Sequence, residues 1–255
     1  MRFTDSHCHL TMSDAAANLQ RARAGGVVGF VVPATKLDDA ARTVDVAAGA
    51  DDVWAAVGFH PHEARDCDDA AFAEIERLAR SDRVVAIGEI GLDYHYMHSA
   101  RDTQREVFMR HVALAKKLDR PVIVHNREST DDLLELLTSD EARGARGILH
   151  SYTEGIEPAR RLLDLGYFIS FSGIVTFKSA EALREVARQL PRDRVLIETD
   201  TPYLAPVPYR GRSNEPAFVV KVAERLAELW GVDLAAAAAQ TTSNFESAFG
   251  VRLPR

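Results

Sequence analysis

Residues 3–10 read Phe3-Thr4-Asp5-Ser6-His7-Cys8-His9-Leu10, an apolar start followed by two histidines that flank a cysteine. In a strand, side chains at i and i+2 share a face, so His7 and His9 point one way and Cys8 the other. What this strand belongs to is decided by what repeats after it. Seven more runs rich in Val and Ile follow at near-regular intervals, at 27–34, 53–60, 84–91, 121–125, 147–152, 167–173 and 195–200. Between them apolar residues recur at helical spacing, as in 70–79 (Phe72, Ile75, Leu78), 104–118 (Val107, Phe108, Val112, Leu114, Leu118), 131–137 and 180–190. Strands alternating with helices imply a parallel sheet. With no Pro-, Gly- or Ser-rich linker to divide them, eight such units predict a single (β/α)8 TIM barrel over 1–255, with an open doubly wound sheet as the alternative. Two more helices, 216–230 and 234–249, finish the chain, the first capped by Ser213 or Asn214 with Pro216 in its first turn.

Composition narrows the function classes. The 255 residues are 46% hydrophobic and 27% charged, with 15 Gly and 10 Pro, which excludes disordered and collagen-like chains. No apolar run reaches the roughly 18 residues of a membrane span, and the N-terminus lacks the pattern of a signal peptide, so a cytoplasmic monomer is expected. Cys8 and Cys67 are the two cysteines, too few for a disulfide framework or a paired-cysteine metal site. A net charge of −7 argues against a basic surface that grips duplex nucleic acid.

Side chains able to bind metal fall at the C-terminal ends of the strands, where barrel enzymes hold their active sites. Strand one ends in His7 and His9, strand four carries Glu89, strand five ends in His125, strand six in His150 and strand eight in Asp200. Buried charges must be paired or coordinated, so this conjunction points to a cation held by imidazole and carboxylate. Such a donor set suits Zn, Mn, Fe and, with more oxygen, Mg. Cys8 reads as a small hydrophobe packed behind the site. Gly25-Gly26 precedes a strand and opens no helix, so nucleotide-binding chemistry is unsupported.

From end to end the chain resembles the TatD family of metal-dependent deoxyribonucleases, within the amidohydrolase-type barrels. The matching stretches are 5–10, Gly58-Phe59-His60-Pro61-His62, Gly88-Glu89-Ile90-Gly91-Leu92-Asp93-Tyr94, His125-Asn126-Arg127, Leu149-His150-Ser151-Tyr152, Ser172-Gly173, Glu198-Thr199-Asp200-Thr201-Pro202-Tyr203-Leu204 and 210–216. The resemblance implies two divalent metal ions (Mg, Mn or Zn), one held by His7 and His9, the other by His125 and His150, with Glu89 bridging and Asp200 completing the set. It also implies hydrolysis of phosphodiester bonds in DNA, as a 3′–5′ exonuclease, and the acidic net charge points to single-stranded or frayed ends as its substrate. Thr11 and Asn126 depart from the family pattern, which carries Asp and Ser there.

Residue chemistry then assigns roles around the ions. Glu89 is suited to bridging because a carboxylate offers two oxygens, and Asp200 can serve as ligand or as general base to the attacking water. His60 and His62 could bind phosphate oxygens or a further metal, or form a Pro-stiffened turn with exposed imidazoles. Arg127 could donate to a phosphate or pair with Glu128. Arg210 and Arg212 lie after strand eight, where barrels often bind phosphate, though a solvated charge pair is equally consistent. Residues 93–98 read as the longest irregular insertion at this rim, either a base-stacking surface or a lid. A hydrolase of a small amide, lactone or phosphoester is the competing function, and a non-catalytic module is disfavoured by the intact ligand set.

Overall fold

The eight apolar runs form eight parallel strands in one sheet, with order β1 to β8 following the chain, in a computed structural model that describes residues 1–254. They are β1 (Phe3–Asp5), β2 (Val27–Pro33), β3 (Val53–Val57), β4 (Val84–Asp93), β5 (Val122–Arg127), β6 (Gly147–Leu149), β7 (Phe168–Phe171) and β8 (Val195–Ile197). Helices α1 (Ala15–Ala24), α2 (Leu37–Ala48), α3 (Asp69–Leu78), α4 (Arg101–Lys117), α5 (Thr130–Thr138), α6 (Ile156–Asp164), α7 (Glu181–Gln189) and α8 (Val219–Trp230) follow the strands in turn, and α9 (Leu234–Phe249) ends the series. The protein is a TIM barrel. Among the described residues no helix is long and apolar enough to cross a membrane.

Alternation along the strands builds two apolar layers. Phe30, Val32, Val57, Val122, Val124, Ile169 and Phe171 belong to the larger cluster with the helices, while Val31, Ala56, Val85, Ile123, Ile148 and Leu196 form a second cluster with Phe245 and Phe249 of α9. The aromatic face of α9 therefore closes one end of the barrel, leaving the C-terminal strand ends to hold polar chemistry.

Three expectations are corrected. The first and last strands are shorter than 3–10 and 195–200, because beyond Asp5 and Ile197 the regular ladder stops. The chain there stays extended and is joined by Ser6 N to Ile197 O (3.0 Å), Asp200 N to His7 O (2.9 Å) and His9 N to Thr201 O (3.0 Å), which seal the barrel between its first and last strands. Neither Ser213 nor Asn214 caps a helix by its side chain: a 3-10 turn, Pro216–Phe218, intervenes before α8, and the Asn214 amide donates to Thr199 O (2.7 Å) and Tyr203 O (2.6 Å) instead. Finally, the longest irregular connection on this rim runs between β8 and Pro216, not through 93–98.

Candidate metal centre

Glu89 sits within β4 at the point where the pairing of β4 with β5 shifts register, between Ile87 and Ile90. Such irregularities redirect a side chain. The neighbouring Gly91, with φ of 142°, pairs with His125, and a Cβ there would lie 2.0 Å from the His125 carbonyl oxygen. Only glycine lets β4 approach β5 closely enough to set Glu89 beside His125.

The two oxygens of Glu89 face different histidines. Oε2 lies 3.3 Å from His7 Nε2 and 3.6 Å from His9 Nε2, while Oε1 lies 2.9 Å from His150 Nε2, 3.1 Å from His125 Nδ1 and 3.4 Å from His60 Nε2. Asp200 adds Oδ1 at 3.5 Å from His9 and 3.7 Å from His7. Its φ of 58° places it in the left-handed region, a conformation Asp tolerates and one that recurs where surroundings fix a functional side chain.

Two carboxylates outside this cluster fix its ring tautomers, and sequence reasoning missed both. Asp93 accepts from His125 Nε2 (3.0 Å) and His62 Nε2 (2.9 Å) through Oδ2, and from the backbone N–H of His95 and Tyr96 through Oδ1. Glu198 accepts from His150 Nδ1 (3.3 Å) and Ser151 N (2.8 Å). With those N–H groups committed outward, the neutral rings of His125 and His150 turn their lone pairs toward Glu89. The signal available in the sequence was the acid after Gly91-Leu92 and the acid two residues before Asp200, neither at a ligand's own position.

Lone pairs and a carboxylate oxygen about 3 Å apart need positive charge between them. Burial alone disfavours charge on His150 and His125, yet Glu89 and their outer carboxylates outweigh it and raise both pKa values. His9 is raised in the same way by Asp200 and Glu89 against burial, whereas burial and the neighbouring His150 lower His7. Glu89 and Asp200 remain carboxylates, since the surrounding imidazoles overcome the effect of burial. The Nδ1 atoms of His7 and His9 are buried without partners among the described residues, and His7 and His9 turn their Nε2 atoms to within 3.1 Å of each other. A divalent cation fits this donor set: His7, His9 and Glu89, His7, His150 and Asp200, and His60, Glu89 and His125 are three overlapping groups whose ligand atoms lie within 4.8 Å.

The remaining candidates divide. His60 accepts from His62 N through Nδ1 (3.1 Å), so its neutral ring presents Nε2–H toward Glu89, and burial pushes its pKa down to about 4. His62, bound to Asp93, lines the cavity with Arg127. The Arg127 guanidinium lies 4.6 Å from the Tyr96 ring centroid, and Glu128 pairs with His95 Nδ1 (2.7 Å). Arg210 and Arg212 are not brought to the cavity: Arg210 lies over the Phe177 ring at 3.8 Å and Arg212 is exposed. Cys8 is buried, its thiol 3.6 Å from Val31 O and pushed well above its ordinary pKa by burial. The cavity over the cluster holds about 760 Å³.

Known proteins resemble this chain along nearly its whole length. The family model for TatD related DNase matches residues 4–250. The metal-dependent hydrolase YcfH of Escherichia coli is 42% identical over 262 residues, covering 100% of this chain and 98% of the relative. YabD of Bacillus subtilis, also a metal-dependent hydrolase, is 39% identical over 97% of this chain and 98% of its own. The crystal structure of YjjV, a TatD homologue from Escherichia coli, superposes with a TM-score of 0.90 at 31% identity, covering 98% of this chain and 99% of that one. The chain belongs to the TatD family of metal-dependent hydrolases.

Proposed function

We propose that the protein hydrolyses phosphodiester bonds in DNA, as a 3′–5′ exonuclease on single-stranded or frayed ends. The observation that carries this reading is the meeting, in one open cavity, of the histidine and carboxylate cluster with the exposed guanidinium of Arg127. The name of the matching family supports it, and an acidic chain suits a single-stranded end better than a wrapped duplex.

Two divalent ions, Mg, Mn or Zn, would complete the site in this reading: His7, His9 and Asp200 would hold one and His125 and His150 the other, with Glu89 shared between them. When bound, such ions supply an activated water and stabilise charge on the attacking and leaving oxygens. Asp200, ionised and lining the cavity, takes the proton of the attacking water as the new P–O bond forms. The bond to the 3′ oxygen breaks, and that oxygen leaves as a hydroxyl after taking a proton from solvent. Arg127 holds a phosphate oxygen through its planar N–H pair. Asp93 and Glu198 keep the His125 and His150 rings aimed inward.

Single-stranded oligonucleotides labelled at either end, assayed with Mg, Mn and Zn beside a Glu89→Gln control, test this. Stepwise loss from the 3′ end, absent in the control, is expected. Turnover of a lactone, amide or small phosphoester panel with intact oligonucleotides would replace it with the small-substrate reading.

A further inference from the structure

We infer that Tyr203, with Met12 beside it, is a preformed platform on which one unpaired base of the substrate strand stacks. This rests on the nuclease reading above and names the part of the substrate that the catalytic cluster does not touch.

Tyr203 lies three residues beyond Asp200 and lines the same cavity, yet it is 55% exposed, as is much of Met12 at 45%. Large apolar side chains left in water mark contact surfaces when they gather at one place. Here Met12, Tyr203, Ile174 and Leu204 line the cavity together. The Tyr203 hydroxyl reaches the Met12 sulfur at 3.8 Å, and among the described residues no aromatic ring or cation is stacked on Tyr203.

The backbone beneath this free ring is held from every side. Tyr203 N donates to Asp200 O (2.8 Å), and its carbonyl accepts from the buried Asn214 amide (2.6 Å). Asp200 and Leu204, on either side, adopt left-handed φ values of 58° and 56°, an uncommon conformation that for Leu persists only where surroundings impose it. The Leu204 carbonyl is pressed against Gly173, where a Cβ would lie 2.1 Å from it. A rigid mount under an unpartnered ring costs little ordering entropy on binding. Because the apolar neighbours offer no partners to base edges, the platform accepts any base by its face, which is available in single strands and not in a duplex. Opposite, beyond β4, the Tyr96 ring is engaged by Arg127, so the two walls differ: one apolar for a base, one cationic for a phosphate.

The test compares a base-bearing oligonucleotide with strands in which one residue near the cleaved end is abasic, using wild-type, Tyr203→Ala and Tyr203→Phe enzymes. Stacking worth about 1–3 kcal/mol per base predicts that KM rises about 5- to 150-fold for Tyr203→Ala, with a smaller effect on kcat. One abasic position should impose a similar penalty on wild type and on Tyr203→Phe, and little further penalty on Tyr203→Ala. An abasic penalty of equal size in wild type and Tyr203→Ala overturns the platform. If wild type cleaves methyl p-nitrophenyl phosphate and no oligonucleotide, the nuclease reading fails by itself. The platform is then decided by competition: oligothymidylate inhibiting that hydrolysis more than an abasic strand does, in a way Tyr203→Ala abolishes, supports it, and equal inhibition overturns it.

Discussion

Asp200 combines a left-handed backbone, a carboxylate kept ionised by three histidines, and an open path to the cavity. Asp200→Asn preserves the shape and removes the basicity, so kcat is expected to fall about 10²- to 10⁴-fold while the fold, followed by circular dichroism, persists. A folded variant with most of its activity would place the proton elsewhere. Asp93 acts through other side chains. Asp93→Asn can no longer accept from both His125 and His62 as a carboxylate does, and metal affinity should weaken about 10- to 100-fold in a chelator competition. Undiminished affinity would leave Asp93 a purely structural role. His7, His9, Glu89, His125, His150 and Asp200 were legible because strand periodicity and barrel topology aim them at one rim. Asp93 and Glu198 were not, because their role is set by which nitrogen of another residue they touch. Arg210 illustrates the opposite difficulty: its position after β8 suggests a phosphate contact, and the nearby Phe177 ring captures its guanidinium instead.

At the scale of elements, β4 is the strand on which the site depends. All ten of its residues are buried, and two of its glycines leave no room for a side chain, Gly91 against His125 and Gly88 against Ile123. Gly91→Ala must push β4 away from β5, with an expected loss of about 3 kcal/mol or more and a Tm lower by roughly 10 °C. A calorimetric scan showing Tm within about 2 °C of wild type would contradict the close approach. Strand existence and order followed from the apolar runs alone, and Leu234–Phe249 matches its predicted bounds. The shortened β1 and β8 did not follow, since extended chain continues past the point where ladder hydrogen bonding ends, and apolar periodicity records extension without recording partners. Asn214 escaped as a donor for a related reason: an Asn before Pro216 reads as a cap or loop organiser, and the two carbonyls it binds belong to the earlier part of its own connection.

For the whole molecule, acid should weaken the fold through a residue outside the metal-binding cluster. His111 of α4 is buried between Phe59 and Phe72, donates from Nδ1 to Val107 O (2.8 Å) and has no partner for Nε2 among the described residues, and burial pushes its pKa down to about 4. Above the ordinary value near 6.5 the ring is neutral folded and unfolded. As pH falls from there to 4 the unfolded chain takes up the proton first, and stability drops by up to about 3 kcal/mol. His111→Phe should flatten the decline of Tm between pH 6.5 and 4 relative to wild type, and parallel declines in the two proteins would exclude His111 as the cause. The seam between β1 and β8 reaches further, into the order in which the molecule is made. His7 and His9 leave the ribosome before Asp200, which follows almost two hundred residues later, and the bonds from Asp200 N to His7 O and from His9 N to Thr201 O form only when both segments are present. A nascent or truncated chain that stops short of Asp200 therefore lacks both its closing bonds and the residue proposed to accept the proton, so in that reading hydrolysis waits until synthesis has passed Thr201.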